Sequence, residues 1–239
     1  MKKEIKSIGT TSFIIHDSRV VNVKYLQNKV DIVQLLYLDS FNHYDLPDET
    51  EIEQLLEAKQ ELKYYIHMPI DLDLGKEGDW DRLIFFAEKL SLLKPEQLIV
   101  HPVNNKIFFD YLEKFLAKFP ATLVENINDV SFFDKISSKG ADICFDVGHA
   151  ILEGVDIKAF INTYGSFIKA YHLHGVKNGK DHLSVRYLDE KKLNYLFGFA
   201  SDNNVDIIVE VFGEKDFYDS INYLKEFFRK NDYIYHRWD

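Results

Sequence analysis

The feature that most constrains this chain is a steady alternation of two patterns. Short runs rich in β-branched, aliphatic and aromatic residues occur at 6–14, 30–37, 63–67, 97–101, 121–125, 141–146, 168–174 and 206–212. Between most of them lie stretches with apolar residues at helical spacing. Residues 51–62 place Ile52, Leu55, Leu56 and Leu62 near one face, and 106–118 do the same with Phe108, Leu112, Phe115 and Leu116. Residues 79–93 open on Asp79 as an N-cap, bury Leu83, Phe86 and Leu90, and stop at Lys94-Pro95. Residues 156–164 are bounded by Asp156 and Gly165, and 189–202 and 216–229 repeat the pattern. Alternating strand and helix units imply a parallel sheet with helices packed on it. Eight units in 239 residues match the size of a (β/α)8 TIM barrel, expected here as one α/β domain over 1–239. The rival, an open doubly wound sheet, would carry a Gly-rich phosphate turn after its first strand. That turn reads Gly9-Thr10-Thr11-Ser12 instead.

Composition narrows the function classes. The 39 acidic against 29 basic residues give a net charge of −10, which argues against a basic face for coating nucleic acid. A single cysteine, Cys144, rules out an internal disulfide and fits a reducing compartment. No 18-residue apolar run exists and the start Met1-Lys2-Lys3 leads into no apolar segment, so a cytoplasmic, non-membrane protein is expected. The sequence leaves the oligomeric state open.

In such a barrel the chemistry sits at the C-terminal ends of the strands. Six consecutive runs finish there on His67, His101, Glu125, Asp146, His172 and Glu210. Imidazoles with carboxylates and no thiolate cluster suit a borderline divalent ion. With His149, Asp181 and His182 added, the set suffices for two or three ions sharing a carboxylate, as in metal-assisted phosphoryl transfer. Each residue alone has a duller reading. His67 and His101 beside prolines also fit hydrogen-bonded core histidines, and Glu125 or Glu210 a buried salt bridge. Asp146 also fits a helix cap, and Asp181-His182 a solvated loop. His172 and His174 share one face of a strand. The aromatic helix residues Phe85, Phe86, Phe108, Phe109, Phe132 and Phe133 read as core, and so does Cys144.

The ordered set His67-x-Pro69, Leu74-Gly75, Val100-His101-Pro102, Val124-Glu125-Asn126, Asp146-x-x-His149-Ala150, Gly154 and Tyr171-His172-Leu173 resembles the endonuclease IV-type (AP endonuclease family 2) branch of the xylose isomerase-like barrels. The resemblance implies one metal at His67, His101 and Glu125. A second would lie at Glu125, Asp146, His172 and Glu210, with Glu125 and Glu210 the catalytic carboxylates. A third would use His149 with Asp181 and His182, although the family has Asp-x-His where these two residues are adjacent; His174 is the substitute. The ions expected are zinc first, with manganese or iron as alternatives.

The stretch His172-Leu173-His174-Gly175-Val176, then Asp181-His182-Leu183-Ser184, and Glu210-Val211-Phe212 leading to Asp216-Phe217, is similar to a narrower group, the cobamide-remodelling phosphodiesterases. This implies hydrolysis of the lower nucleotide loop of a corrinoid to a cobinamide phosphate and an α-riboside, with His174 touching substrate. Two other functions stay open: an abasic-site endonuclease, and a sugar isomerase or epimerase using one metal at Glu125, Asp146, His172 and Glu210. No stable nucleic-acid binding is expected. A corrinoid-sized cleft needs an open, largely uncharged rim, for which 37–47 (Tyr37, Phe41, His43, Tyr44) and 175–184 are the candidates.

Overall fold

The computed structural model describes residues 2–42, 45–127 and 129–238. Eight parallel strands form a closed barrel: β1 (Ile8–Thr11), β2 (Ile32–Leu36), β3 (Lys63–His67), β4 (Gln97–Val100), β5 (Thr122–Glu125), β6 (Asp142–Asp146), β7 (Ile168–Leu173) and β8 (Asp206–Val209). Strand β8 pairs with both β7 and β1, so no sheet edge is left open. The (β/α)8 expectation holds, although the runs at 6–14 and 206–212 shrink to the pieces that pair.

The connecting helices are α1 (Arg19–Leu26), α2 (Glu49–Lys59), α3 (Glu77–Leu90), α4 (Lys106–Lys118), α5 (Phe133–Ser138), α6 (Val147–Leu152), α7 (Ile157–Tyr164), α8 (Glu190–Asn203) and α9 (Glu214–Lys230). Asp156 and Asp189 cap α7 and α8 through their carboxylates. Asp79 does not cap α3. Lys76 holds that position, and the Asp79 carboxylate accepts instead from the Asp73 amide at 2.8 Å. Leu56 and Phe85, expected to pack inward, are exposed, whereas Phe86, Phe108, Phe109, Phe132 and Phe133 are buried. Helices α1, α5 and α6 escaped the periodicity; α5 and α6 run for only six residues each. The caps Ser18 of α1 and Asp146 of α6 are the clearest sequence signals of those two helices.

Residues on a strand alternate between the helical shell and the barrel interior. Ile32, Tyr65, Ile99, Leu123, Cys144, Ala170 and Ile208 form a closed apolar cluster separate from the main core. Gly9 completes that layer without a side chain, since a Cβ there would lie 2.6 Å from Ile32 and 3.0 Å from Ile208. Two residues further along seven of the strands come Gln34, His67, His101, Glu125, Asp146, His172 and Glu210. The barrel thus has an apolar floor, and a polar layer stands directly on it. Among the described residues no helix is long and apolar enough to cross a membrane.

Candidate metal centre

Glu125 is the hub. Its Oε2 lies 3.2 Å from His67 Nε2, 3.4 Å from His101 Nε2 and 3.3 Å from His172 Nδ1, and its Oε1 lies 3.5 Å from His149 Nδ1. His172 Nδ1 also faces Glu210 Oε2 at 3.1 Å and Asp146 Oδ2 at 3.7 Å. Ligand atoms gather into two groups that share Glu125: His67, His101 and Glu125, and Glu125, Asp146, His172 and Glu210. All of these except half-buried His101 are buried. Six strands deliver them, and only barrel closure lets them meet.

Hydrogen bonding fixes which imidazole nitrogens point inward. Glu210, as a carboxylate, can only accept, so the Gln34 amide nitrogen faces it, donating to Oε1 at 3.0 Å. The Gln34 oxygen then faces His172 Nε2 at 2.7 Å, which must carry a hydrogen. His67 Nδ1 in the same way meets the Met68 carbonyl at 3.0 Å. Both rings therefore use the outer nitrogen as a donor and aim the inner one at carboxylate oxygens, the arrangement that orients metal-binding histidines. His101 Nε2, His149 Nδ1, His172 Nδ1 and His182 Nδ1 are buried with no hydrogen-bond partner. Orphaned buried imidazole nitrogens beside buried carboxylates fit a divalent cation. Three carboxylates without a compensating cation would be costly to bury.

Without an ion, protons do that compensating. Burial alone would raise the Glu125 pKa, but His172 and His101 hold it well below the usual range. Burial acts the same way on Glu210, and His172 outweighs it, bringing Glu210 down to about 2. Burial opposes charge on His149, yet Glu125 and Asp146 raise it to about 9. His172 is likewise raised well above its ordinary value, against burial, by Cys144 and by the Glu210 and Glu125 carboxylates. Burial and the neighbouring His174 lower His182, which favours its neutral form. Cys144, in the apolar floor, is pushed up to about 12 by burial and stays an unreactive thiol.

A third group differs from the one expected. It consists of His149, His174 and His182. Asp181 does not join it; its carboxylate is half exposed and lies 3.8 Å from His149 Nε2. His182 takes a left-handed backbone, φ +50°, where the hairpin register shifts between Lys180 and Leu183, and of the Asp181-His182 pair it is His182 whose ring joins the group. His174, expected to touch substrate, is fully buried in the structure. Its Nε2 lies 3.1 Å from Asp146 Oδ1, and its Nδ1 accepts from the His182 amide at 2.9 Å. A Cβ on Gly148 would come within 2.0 Å of the ring, so that glycine makes the space His174 occupies. Asn126 reciprocally binds the Asp146 backbone, accepting its N–H at 2.6 Å and donating to its carbonyl at 2.9 Å.

Gln34 was missed from sequence because an amide in a strand has no ligand signature. Its spacing of two from Ile32, on the strand facing Glu210, was the available clue. The expected rim aromatics are not as anticipated either. Tyr37 is buried under the Arg19 guanidinium, 3.9 Å from its ring centroid; His43 and Tyr44 lie outside the described residues; Phe41 is strongly exposed. The 175–184 stretch folds as a hairpin of Gly175–Lys177 and Lys180–Leu183.

The barrel has structural neighbours among solved proteins. A D-tagatose 3-epimerase-like protein matches with a TM-score of 0.76 at 18% identity, covering 95% of this chain and 98% of its own. A xylose isomerase domain containing protein from Salmonella typhimurium gives 0.67 at 13%, covering 93% and 97%. The probable 3-DHS dehydratase AsbF from Bacillus anthracis gives 0.65 at 14%, covering 94% and 98%. No protein-family model and no curated protein matches the sequence. At these identities the likeness is one of fold alone, a (β/α)8 TIM barrel. The neighbours' names fit a sugar isomerase or epimerase better than a cobamide phosphodiesterase, and the narrower resemblance gains no support from them.

Proposed function

We propose that this chain is a divalent-metal phosphodiesterase. The observation that carries the reading is Glu125 shared between two ligand groups, each with an orphaned imidazole nitrogen, His101 in one and His172 in the other. His67, His101 and Glu125 would hold one ion, and Glu125, Asp146, His172 and Glu210 the other. Bound there, divalent ions would supply charge neutralisation at phosphoryl oxygens and activation of water. In hydrolysis a water oxygen bonds to phosphorus as the ester P–O bond breaks, and one proton passes to the leaving oxygen. Glu210, ionised at neutral pH and tied through Oε1 to Gln34, has Oε2 directed at the centre to take the water's proton. Asp146 is oriented by Asn126 and His174, and Glu125 by His67 at 3.2 Å, with three further imidazoles facing it. The substrate we infer is the lower nucleotide loop of a cobamide, which rests on the 172–184 and 210–217 motifs alone.

A second reading is favoured by the structural neighbours: a sugar isomerase or epimerase using one ion at Glu125, Asp146, His172 and Glu210. It leaves His67 and His101 without employment. Chromatography after incubating metal-loaded protein with a cobamide tests the first reading, and a cobinamide phosphate with an α-riboside is the expected outcome. Elemental analysis gives the second arm. Full activity with one ion per chain, together with conversion of a ketohexose to its epimer, would establish the isomerase reading instead. Abasic duplex DNA should be cut slowly or not at all.

A further inference from the structure

Beside the metal centre, on the same end of the barrel, lies a cleft of about 880 Å³ that includes Ser12, Leu36, Leu38 and two phenylalanines. Phe13 and Phe212 follow β1 and β8, and they are 45% and 39% exposed. Their rings meet edge to face with centroids 6.3 Å apart, and His16 adds a third ring 5.8 Å from Phe13. Adjacent exposed aromatics at a cleft mark a ligand surface rather than ordinary surface wear. The pair is built rigidly, because the Gly213 amide donates to the Phe13 carbonyl at 3.1 Å, tying the two loops. Phe212 also touches His182, with ring centroids 4.8 Å apart. The aromatic surface thus reaches the third imidazole group directly.

Charge says what kind of molecule can lie there. Besides these rings the cleft holds Asp17, Asp45 and Glu51 against one guanidinium, Arg19. Arg19 is committed to both Asp45 and Glu51, at 2.7 and 2.8 Å. A phosphate would meet excess negative charge there, whereas an uncharged planar ring meets no such repulsion and presents its face to the aromatics.

We propose that Phe13 and Phe212 form a subsite for an uncharged planar heteroaromatic ring carried by the substrate, a nucleobase-like group next to the reacting centre. The placement beside a reacting phosphate rests on the phosphodiesterase reading; ring binding itself does not. The test is calorimetric titration of metal-free protein with adenosine, and with ribose as control. Adenosine should bind and ribose should not. Phe13→Ala with Phe212→Ala should weaken adenosine by about ten-fold or more, as loss of aromatic stacking does. Phe13→Leu with Phe212→Leu, which keeps apolar volume, should still lose most of it. Absence of adenosine binding, equal binding of ribose, or full binding by the double alanine variant would each overturn the subsite. Because no turnover is involved, failure here leaves the hydrolase reading standing, and failure of cobamide hydrolysis leaves the subsite standing.

Discussion

Two adjoining layers of the barrel interior teach the most when set side by side. The floor (Ile32, Tyr65, Ile99, Leu123, Cys144, Ala170, Ile208) and the layer above it (Gln34, His67, His101, Glu125, Asp146, His172, Glu210) come from the same strands, two residues apart. The floor needs only volume and apolarity, so several residue types would serve at each position. The upper layer needs particular donor atoms at particular places: within it Gln34 accepts from His172 and donates to Glu210, and from outside it the Met68 carbonyl accepts from His67, Asn126 accepts the Asp146 N–H and His174 donates to the Asp146 carboxylate. One layer supplies stability and the other spends it, since three carboxylates are buried there. Variants that separate the two roles test this division.

The largest effect is expected at the hub. Glu125→Gln removes the charge shared by both ligand groups, so metal content should fall and hydrolysis should drop by roughly a thousand-fold or more, beyond the 10–100-fold typical of outer partners. Elemental analysis and rates at saturating zinc would check it. Retained binding of two ions would mean that Glu125 does not bridge.

Next comes the floor directly below. Leu123→Ala should cost about 2–5 kcal/mol in unfolding free energy, the usual range for a buried leucine, while the number of ions bound stays unchanged. Loss of metal stoichiometry in a folded Leu123→Ala protein would show that the layers are not separable.

The contrast between layers also explains what could be read from sequence. The floor and its helices were legible as apolar periodicity, and the ligands were legible because His, Asp and Glu at the ends of apolar runs are chemically conspicuous. The supports were not. Gln34 looks like any strand amide, Gly148 like any turn glycine, and His174 like a third ligand or a substrate contact. Their roles depend on which neighbour arrives from another strand. Long-range placement also decided Phe13 with Phe212, which are 199 positions apart in the chain yet share one cleft, and it buried Tyr37, expected at the rim. The parallel pairing of Lys3–Glu4 with Tyr233–Ile234 joins two-residue strands with no periodicity to read.

A smaller, graded effect is expected from pH in the metal-free protein. Glu210 falls from 4.5 to about 2 on folding, so its contribution is present above about 4.5 and is lost as pH drops toward 2. His149 rises from 6.5 to about 9, so its contribution is complete below about 6.5 and is lost as pH rises through 9. Tm in the presence of a chelator should therefore peak between about 4.5 and 6.5 and decline on both sides. Zinc should lift the alkaline limb most, because the ion replaces the protons that the imidazoles give up. An alkaline limb unmoved by zinc would count against metal occupancy at His149 and its neighbours.

The smallest effect concerns His174, which stands in the polar layer's support. The His182 amide points at Nδ1 and so leaves the hydrogen on Nε2, where it is donated to Asp146. Burial disfavours charge on this ring, the Asp146 carboxylate raises its pKa, and the His182 amide selects the tautomer whenever the ring is neutral. His174→Gln can still donate to Asp146 but loses the acceptor for His182, whereas His174→Asn can accept from His182 but falls short of Asp146. If His174 orients Asp146, the Asn variant should weaken metal binding by about 10–100-fold and the Gln variant by less, with both folded. If His174 were itself an ion's ligand, both variants should lose the same ion outright. Imidazole nitrogen NMR gives a readout free of activity: the Nε2–H signal of His174 should persist when zinc is added, and its disappearance would make His174 a ligand after all.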